Sequence, residues 1–167
     1  FMNTQTAGNS FGILGRIAVV SGGNRNIGRS IVLTLAKEGV TTVVLYRDGE
    51  DEAKKVCAEA TALGARSVMY QVDLANTQSL APLVKKIEAE VGAIDILINN
   101  AAIRPNTKIS QITLEEWDLV FNTNLKAPFF LSQAVLPGMV KRQWGRIINS
   151  GGTDAYWGKV RRAHGVS

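Results

Sequence analysis

The feature that most constrains this chain is the alternation of short β-branched runs with longer segments of helical periodicity. The apolar runs cover residues 16–21, 42–46, 67–72, 94–99 and 145–150. Nearly continuous apolar runs are typical of strands that are covered on both faces of a parallel sheet. Their alternation with helical segments indicates repeated βαβ units. We therefore predict an α/β fold in which helices cover both faces of one doubly wound parallel sheet, in three α/β/α layers.

Four segments between the predicted strands carry signals for the beginning or the end of a helix. The first helix follows Gly28 and ends at Gly39, and the second covers residues 50–63 and is closed by Gly64. The third is capped by Asn76 and ends at Gly92. The fourth begins with a capping box from Thr113 to Glu116 and runs towards Leu136. Pro128 is expected to kink the fourth helix or divide it in two. Right-handed crossovers then place the strands in the order 3-2-1-4-5.

Length and composition narrow the class of protein. The 167 residues allow one domain, which we place at residues 16–167 after an N-terminal tail at 1–15. No apolar run approaches the ~20 residues of a membrane span, and no secretory signal is visible. A single cysteine, Cys57, excludes an intrachain disulfide and fits a reducing cytoplasm. The net charge of +5 comes from scattered basic residues, so an anionic cofactor is a simpler partner than nucleic acid.

Residues 21–28, between the first strand and the first helix, form a glycine-rich turn that reads Ser-Gly-Gly-Asn-Arg-Asn-Ile-Gly. Glycine lets the backbone approach a pyrophosphate, and the following helix directs its free N–H groups at the anion. The turn therefore predicts a dinucleotide site of the Rossmann type. The predicted binding residues here are Ser21, Gly22, Asn24, Arg25, Asn26, Ile27 and Gly28.

This turn resembles the Thr-Gly-x-x-x-Gly-x-Gly loop of the short-chain dehydrogenase/reductase family. Gly22 and Gly28 match the first and last glycines, and Ser21 stands in the place of the threonine. Asn26 replaces the middle glycine, and asparagine is among the residues that most readily adopt the left-handed backbone conformation. The turn is thus expected to form despite the substitution.

The end of the second predicted strand indicates which nicotinamide cofactor is bound. A carboxylate at this place suits the ribose hydroxyls of NAD, whereas a basic residue suits the extra phosphate of NADP. The chain has Tyr46 at the usual acid position, followed by Arg47, and Arg25 supplies a second guanidinium. We therefore expect NADP(H) to be preferred. NAD(H) stays open because Asp48 follows Arg47 directly.

The resemblance extends to the ends of the third and fourth strands. It implies that Asp73 and Leu74 contact the adenine, although Asp73 could instead cap the third helix. The sequence Asn-Asn-Ala-Ala at residues 99–102 is similar to the family's Asn-Asn-Ala-Gly, and it implies that Asn99 braces the sheet. By the same resemblance, the segment Asn100, Ala101 and Ala102 passes the cofactor ribose, Thr123 belongs to the cofactor-binding set, and Asn124 supports the proton relay.

The catalytic part of the resemblance is incomplete. The family uses a Tyr-x-x-x-Lys pair on one helix and a serine after the fifth strand. Gly152 occupies the serine position, so Ser150 and Thr153 are the nearest hydroxyl groups. Tyr156 and Lys159 are one residue too close together. His164 is a candidate substitute acid/base, or else an exposed surface residue. Since the resemblance implies further strands beyond Ser167, we expect a sheet that is incomplete on its C-terminal side.

Three functions follow from these observations. The leading one is an NADP-dependent oxidoreductase acting on a small ketone or secondary alcohol, nearest in appearance to the 3-oxoacyl-acyl-carrier-protein reductases and so with a 3-oxoacyl thioester as one candidate substrate. The first alternative is an NAD(P)-binding protein or fragment without catalysis. The second is an enoyl-thioester reductase on the same fold. The resemblance also implies a homodimer or homotetramer, and we expect no metal cofactor.

Overall fold

The computed structural model describes residues 11–152, which form a parallel sheet of five strands between two layers of helices. The strands are β1 (Ile17–Ser21), β2 (Thr41–Tyr46), β3 (Ser67–Gln71), β4 (Ile96–Asn99) and β5 (Arg146–Asn149). Their order is β3-β2-β1-β4-β5, which confirms the predicted fold and topology. In the centre of the sheet, Val20 of β1 is in register with Val44 of β2 on one side and Ile98 of β4 on the other.

The helices are α1 (Asn26–Lys37), α2 (Glu50–Ala62), α3 (Leu80–Glu90), α4 (Leu114–Phe121) and α5 (Ala127–Arg142). Thr113 caps α4 as predicted, because its Oγ1 accepts the Glu116 N–H at 3.2 Å. The cap predicted at Asn76 is wrong: Asn76 precedes a short 3₁₀ turn (Thr77–Ser79), which it does not cap with its side chain, and α3 begins only at Leu80.

The predicted fourth helix is divided in two, as Pro128 allowed. The division is a π-helical segment, Asn122–Lys126, that joins α4 to α5 without a break. Pro128 stands in the first turn of α5, where its missing N–H costs little. Wider π-helical turns change which residues face the sheet, so residues 122–126 leave the register of both flanking helices.

The core consists of two apolar layers, one on each face of the sheet. Along β1, Val19 packs towards α3 and α5, whereas Ala18 and Val20 pack towards α1 and α2. These side chains are at most 1% exposed, so burial of both faces explains why β1 is apolar at nearly every position. The central strands therefore have the covering that their composition predicts.

The covering does not extend to β5, which lies at the edge of the sheet. Ile147 packs against the α3–α5 layer, but Ile148 on the opposite face is 49% exposed. The physical reason is that, among residues 11–152, the α1 side of β5 faces a surface groove instead of a covering helix.

The amino ends of the strands are held by a buried carboxylate, Asp95. Its Oδ2 accepts the Ile17 N–H at 3.1 Å, and its Oδ1 lies 3.4 Å from Arg16 Nη1 and 3.6 Å from Arg142 Nε. The end of the segment predicted as a tail also contacts this region, since Ile13 packs on the α1–α2 layer.

No helix within residues 11–152 is long and apolar enough to cross a membrane.

The two-layer core makes a testable distinction between leucines of α5. Leu131 is 1% exposed and Leu136 is 49% exposed. We expect Leu131→Ala to lower the free energy of unfolding by about 2–5 kcal/mol, because it leaves a cavity between α5 and the sheet. The matched variant Leu136→Ala is expected to change it by no more than about 0.5 kcal/mol. Urea denaturation followed by circular dichroism measures both, and equal losses would contradict the assigned packing.

Candidate functional site

A cleft lies at the carboxyl ends of the strands, where the strand order reverses between β1 and β4. Ligands of open α/β sheets bind at such a switch point. Residues from four strand ends and from the π-helical segment line the cleft: Gly22, Asn24, Arg25, Asn26, Ile27, Gly28, Leu45, Tyr46, Arg47, Asp48, Val72, Asp73, Leu74, Asn100, Ala101, Ala102, Ile103, Arg104 and Thr123. All but one of the residues predicted to bind a cofactor are in this set, the exception being Ser21.

The glycine-rich turn forms the floor of the cleft at the start of α1. Asn26 has a φ of +48°, which confirms that asparagine adopts the left-handed conformation in place of the family's glycine. At Gly28, a Cβ atom would lie 2.1 Å from the carbonyl oxygen of Gly22, so no other residue fits without a shift of the turn. The side chain of Arg25, which precedes α1, makes no capping hydrogen bond. The first N–H groups of α1 are therefore available to an anion.

Ser21 lies beneath the cleft and joins the ends of β1 and β4. It is 2% exposed, and its Oγ accepts the N–H groups of both Asn100 and Ala101 at 3.0 Å. In return, Asn100 Nδ2 donates to the Ser21 carbonyl oxygen at 3.0 Å. Ser21 was predicted to bind the cofactor directly. In the structure it lies behind the wall of the cleft and holds that wall in place.

Asn24 connects the glycine-rich turn to the end of β2. The side chain is 5% exposed, and its Nδ2 donates to the carbonyl oxygen of Asp48 at 2.9 Å. The turn and the β2 end are therefore held at a fixed separation, which sets the width of the cleft on this side.

The β2 end carries opposite charges side by side. Arg47 Nε donates to Asp48 Oδ2 at 2.7 Å, and both side chains are exposed. This hydrogen bond raises the pKa of Arg47 above its ordinary value, so the guanidinium stays charged. Gln71 Nε2 donates to the Arg47 carbonyl oxygen at 3.0 Å and holds the backbone. Arg25 is exposed at the neighbouring turn, and Tyr46 is 6% exposed. The Asp48 carboxylate is thus occupied by Arg47.

Asp73 and Leu74 border the cleft after β3. Asp73 Oδ1 accepts the N–H of Ala75 at 2.9 Å, which is a local turn and not the helix cap considered as the alternative. The side chain of Leu74 is 8% exposed and supplies an apolar wall.

Asn124 uses its side chain to clamp the loop that follows β4. Its Oδ1 accepts the Ile103 N–H at 2.9 Å, and its Nδ2 donates to the Ile103 carbonyl oxygen at 3.0 Å. Asn124 itself does not line the cleft. Its neighbour Thr123 does, and the buried Oγ1 of Thr123 has no hydrogen-bond partner among residues 11–152. A buried hydroxyl of this kind suits a polar group of a bound ligand.

Of the remaining catalytic candidates, Ser150 is the one within residues 11–152, and it does not line the cleft. Ser150 lies in a neighbouring surface groove with Ile98 and Ile148, and its N–H donates to the Asn99 carbonyl oxygen at 2.9 Å. Thr153 and His164, like Tyr156 and Lys159, lie outside the described residues. No group of three His, Cys, Asp or Glu side chains that could hold a metal occurs within residues 11–152.

The predicted binding set left out five residues of the lining. One of them, Asp48, was considered only in relation to NAD(H). Leu45 and Val72 lie at strand ends, and Ile103 and Arg104 follow Ala102 directly. The rule that ligands bind at the carboxyl ends of strands could have found the first pair. Ile103 and Arg104 would have been found by extending the predicted segment 100–102 by two residues.

The sheet order and the glycine-rich turn at the switch point define a nucleotide-binding α/β domain of the Rossmann type. The sequence model of the short chain dehydrogenase family matches residues 16–162. The chain belongs to this family.

Two curated relatives show which members the chain resembles. The 3-oxoacyl-[acyl-carrier-protein] reductase FabG of Staphylococcus epidermidis is 37% identical over 136 residues, which are 81% of this chain and 56% of the reductase. The acetoacetyl-CoA reductase of Shinella zoogloeoides is 32% identical over 151 residues, which are 90% of this chain and 61% of that enzyme. The chain therefore spans little more than half the length of these relatives.

Two crystal structures have closely similar folds. A metagenomic short-chain oxidoreductase in complex with NADP has a TM-score of 0.87 and 29% identity, with 92% of this chain and 72% of that chain covered. A 3-oxoacyl (acyl-carrier-protein) reductase from Agrobacterium tumefaciens, with NADP bound, has a TM-score of 0.87 and 28% identity, with 93% and 60% covered.

The contacts of Ser21 can be tested without any ligand. Ser21→Ala leaves the N–H groups of Asn100 and Ala101 without their acceptor, and we expect a loss of about 1–3 kcal/mol in the free energy of unfolding. Ser21→Thr keeps the hydroxyl and is the matched control, with a smaller loss. Guanidinium denaturation compares the two variants. A loss for threonine as large as that for alanine would show that the hydroxyl is not what joins the strands.

The backbone conformation at residue 26 gives a second test. Asn26→Val places a β-branched residue at a positive φ, and we expect a loss of at least about 1–2 kcal/mol in unfolding free energy. Asn26→Gly, which accepts this φ freely, is expected to stay within about 1 kcal/mol of the unmodified chain. Thermal and urea unfolding measure both variants. A stable valine variant would contradict the left-handed turn.

Proposed function

We propose that the cleft binds NADP(H) and that the protein is an oxidoreductase that interconverts a ketone and a secondary alcohol. The observation that carries the proposal is the combination, in one cleft, of the glycine-rich turn at the start of α1 with Arg25 and Arg47 at the adenosine side. The relatives that act on 3-oxoacyl and acetoacetyl thioesters support the reaction class, and the NADP complexes support the cofactor.

The lining residues of the cleft can be assigned to successive parts of NADP(H). The pyrophosphate would accept N–H groups of residues 22–28 at the start of α1. The ribose phosphate would lie between the guanidinium groups of Arg25 and Arg47, with Tyr46 beside them. Asp73 and Leu74 would border the adenine. Asn100, Ala101 and Ala102 would pass the second ribose, and the unpaired Oγ1 of Thr123 would face the nicotinamide side.

When bound, NADP(H) supplies or accepts the hydride at the carbon that carries the substrate oxygen. The described residues would hold the cofactor in the cleft. Asn124 is a positioning residue in this proposal, because its two hydrogen bonds fix Ile103 at the edge of the cleft. The proton must come from a side chain beyond this wall, and Ser150, Thr153 and His164 remain the candidates within the chain.

Binding without turnover is the second candidate function. Its support is that Ser150 faces the neighbouring groove and that Gly151 and Gly152 carry no hydroxyl for the cleft. NADPH binding without consumption of NADPH across a panel of ketones would favour this candidate. Consumption with conjugated thioesters alone would instead favour an enoyl-thioester reductase.

We also propose that the protein self-associates through α5 and the segment before it. Phe129, Leu136 and Val140 are 60%, 49% and 65% exposed. Apolar side chains exposed together along one helix are typical of a protein–protein interface.

The charges at the β2 end predict the cofactor preference. We expect tighter binding of NADPH than of NADH, and Arg47→Ala and Arg25→Ala should each weaken NADPH binding about tenfold or more while leaving NADH nearly unchanged. Asp48→Asn should strengthen NADPH binding, because it removes the negative charge that occupies Arg47. Isothermal titration calorimetry measures the affinities. Lys37→Ala, at the far end of α1, is the control for loss of one positive charge. A preference for NADH, or binding of neither nucleotide, would overturn the proposal.

A further inference from the structure

A third arginine, Arg104, lines the cleft on the side away from Arg47. Arg47 follows β2 and Arg104 follows β4, and β1 lies between these two strands. Neighbouring strands are about 4.8 Å apart, so the two strand ends are separated by roughly 10 Å. Arg47 and Arg104 therefore belong to strand ends on opposite sides of β1.

The backbone presents Arg104 in a restricted conformation. The preceding residue, Ile103, is held by both hydrogen bonds of the Asn124 side chain. The following residue is Pro105, which favours extended backbone at residue 104. Because the backbone of Arg104 is restricted on both sides, little conformational entropy of the backbone is lost when the residue binds a ligand.

The charges around Arg104 leave its guanidinium without a counterion. The acidic residues of the cleft, Asp48 and Asp73, follow β2 and β3 on the opposite side of β1. Apart from Arg104, the lining on the β4 side is uncharged: Asn100, Ala101, Ala102, Ile103 and Thr123. Arg104 makes no hydrogen bond or ion pair with any residue in the range 11–152. The cleft thus has an unpaired cation at the side where the reacting end of the cofactor would lie.

We propose that Arg104 binds a carboxylate of the substrate, so that the substrate class is the small oxo and hydroxy acids. This inference rests on the proposed function and names its substrate. A guanidinium group forms two parallel hydrogen bonds with a carboxylate, which would orient the acid with its oxo or hydroxyl carbon towards the cofactor. Small side chains at Ala101 and Ala102 leave room for such a compact molecule. The carboxylate itself is unchanged by the reaction.

The test measures binding, not turnover, on the whole chain. The chain is titrated with 3-hydroxybutyrate and, separately, with its neutral methyl ester, in the presence and absence of saturating NADPH. Hydroxyl compound and NADPH are both reduced, so no reaction can take place between them. The variants are Arg104→Gln, Arg104→Lys and the control Lys108→Gln, which removes a positive charge from the same loop outside the cleft lining.

We expect the unmodified chain to bind the acid more tightly than the ester. Arg104→Gln should weaken acid binding about tenfold or more and abolish the preference over the ester, because two charge-assisted hydrogen bonds are lost. Arg104→Lys should keep part of the preference, and Lys108→Gln should stay within about twofold. NADPH affinity should be the same in all of them.

Two results would overturn the inference. In the first, Arg104→Gln leaves the preference for the acid unchanged. In the second, it weakens NADPH binding instead, which would assign Arg104 to the phosphates of the cofactor. The NADPH titration of the unmodified chain reports on the proposed function separately. Acid binding that depends on Arg104 without any NADPH binding would support the anion site and reject the cofactor.

Discussion

The cleft depends on the hydrogen bonds that join the ends of β1 and β4 around Ser21. Backbone hydrogen bonds hold neighbouring parallel strands together along the sheet. Beyond their carboxyl ends the two segments diverge, because β1 leads into α1 and β4 leads into the loop before α4. The Ser21 hydroxyl accepts two N–H groups from the β4 side, and the Asn100 amide donates back to the β1 side. Both walls of the switch point are therefore set by one buried polar cluster, and the absence of a Cβ at Gly28 lets the glycine-rich turn close over it.

The arrangement of charge follows the same division of the cleft. On one side of β1, two arginines and two aspartates lie at the ends of β1, β2 and β3, and one arginine is neutralised by Asp48. On the other side, a single arginine follows β4 among small and apolar residues. In the proposed function, the phosphate groups bind on the first side and the reacting groups on the second. The Arg47–Asp48 pair is then the place where a small change in charge is expected to alter the cofactor preference.

Much of this architecture could be predicted from the residues alone. The strand order and the position of the cleft follow from β-branched runs, helix signals and a glycine-rich turn, because each is a local pattern with a known geometric consequence. The left-handed backbone at Asn26 was likewise predictable from the residue type. The π-helical segment at 122–126 was not, since no residue there specifies a wider turn and tertiary contacts decide it. The ion pair between Arg47 and Asp48 depends on side-chain rotamers that neither residue type fixes.

The surroundings of Ser150 and the exposed face of β5 could not be predicted from the residues, and they share a cause. β5 has the composition of a covered strand, yet within residues 11–152 its α1 side faces a surface groove, and Ser150 lines that groove. Apolar composition states what a strand is suited to pack against, and the neighbouring elements decide whether it does so. The position of Arg104 could not be predicted either, because its sequence shows only a loop residue. The structure places it in the lining of the cleft, directly after the residue that Asn124 holds.

The proposed function depends on NADP(H) binding in the cleft at the β1–β4 switch point. Hydrogen–deuterium exchange of the whole chain with and without NADPH tests it most directly, because it locates the contact without any need for catalysis. We expect slower exchange at residues 22–28, 46–48 and 100–104 when NADPH is present, and unchanged exchange along β5 and at the exposed face of α5. Protection centred on the groove around Ile148, or no protection anywhere, would contradict it.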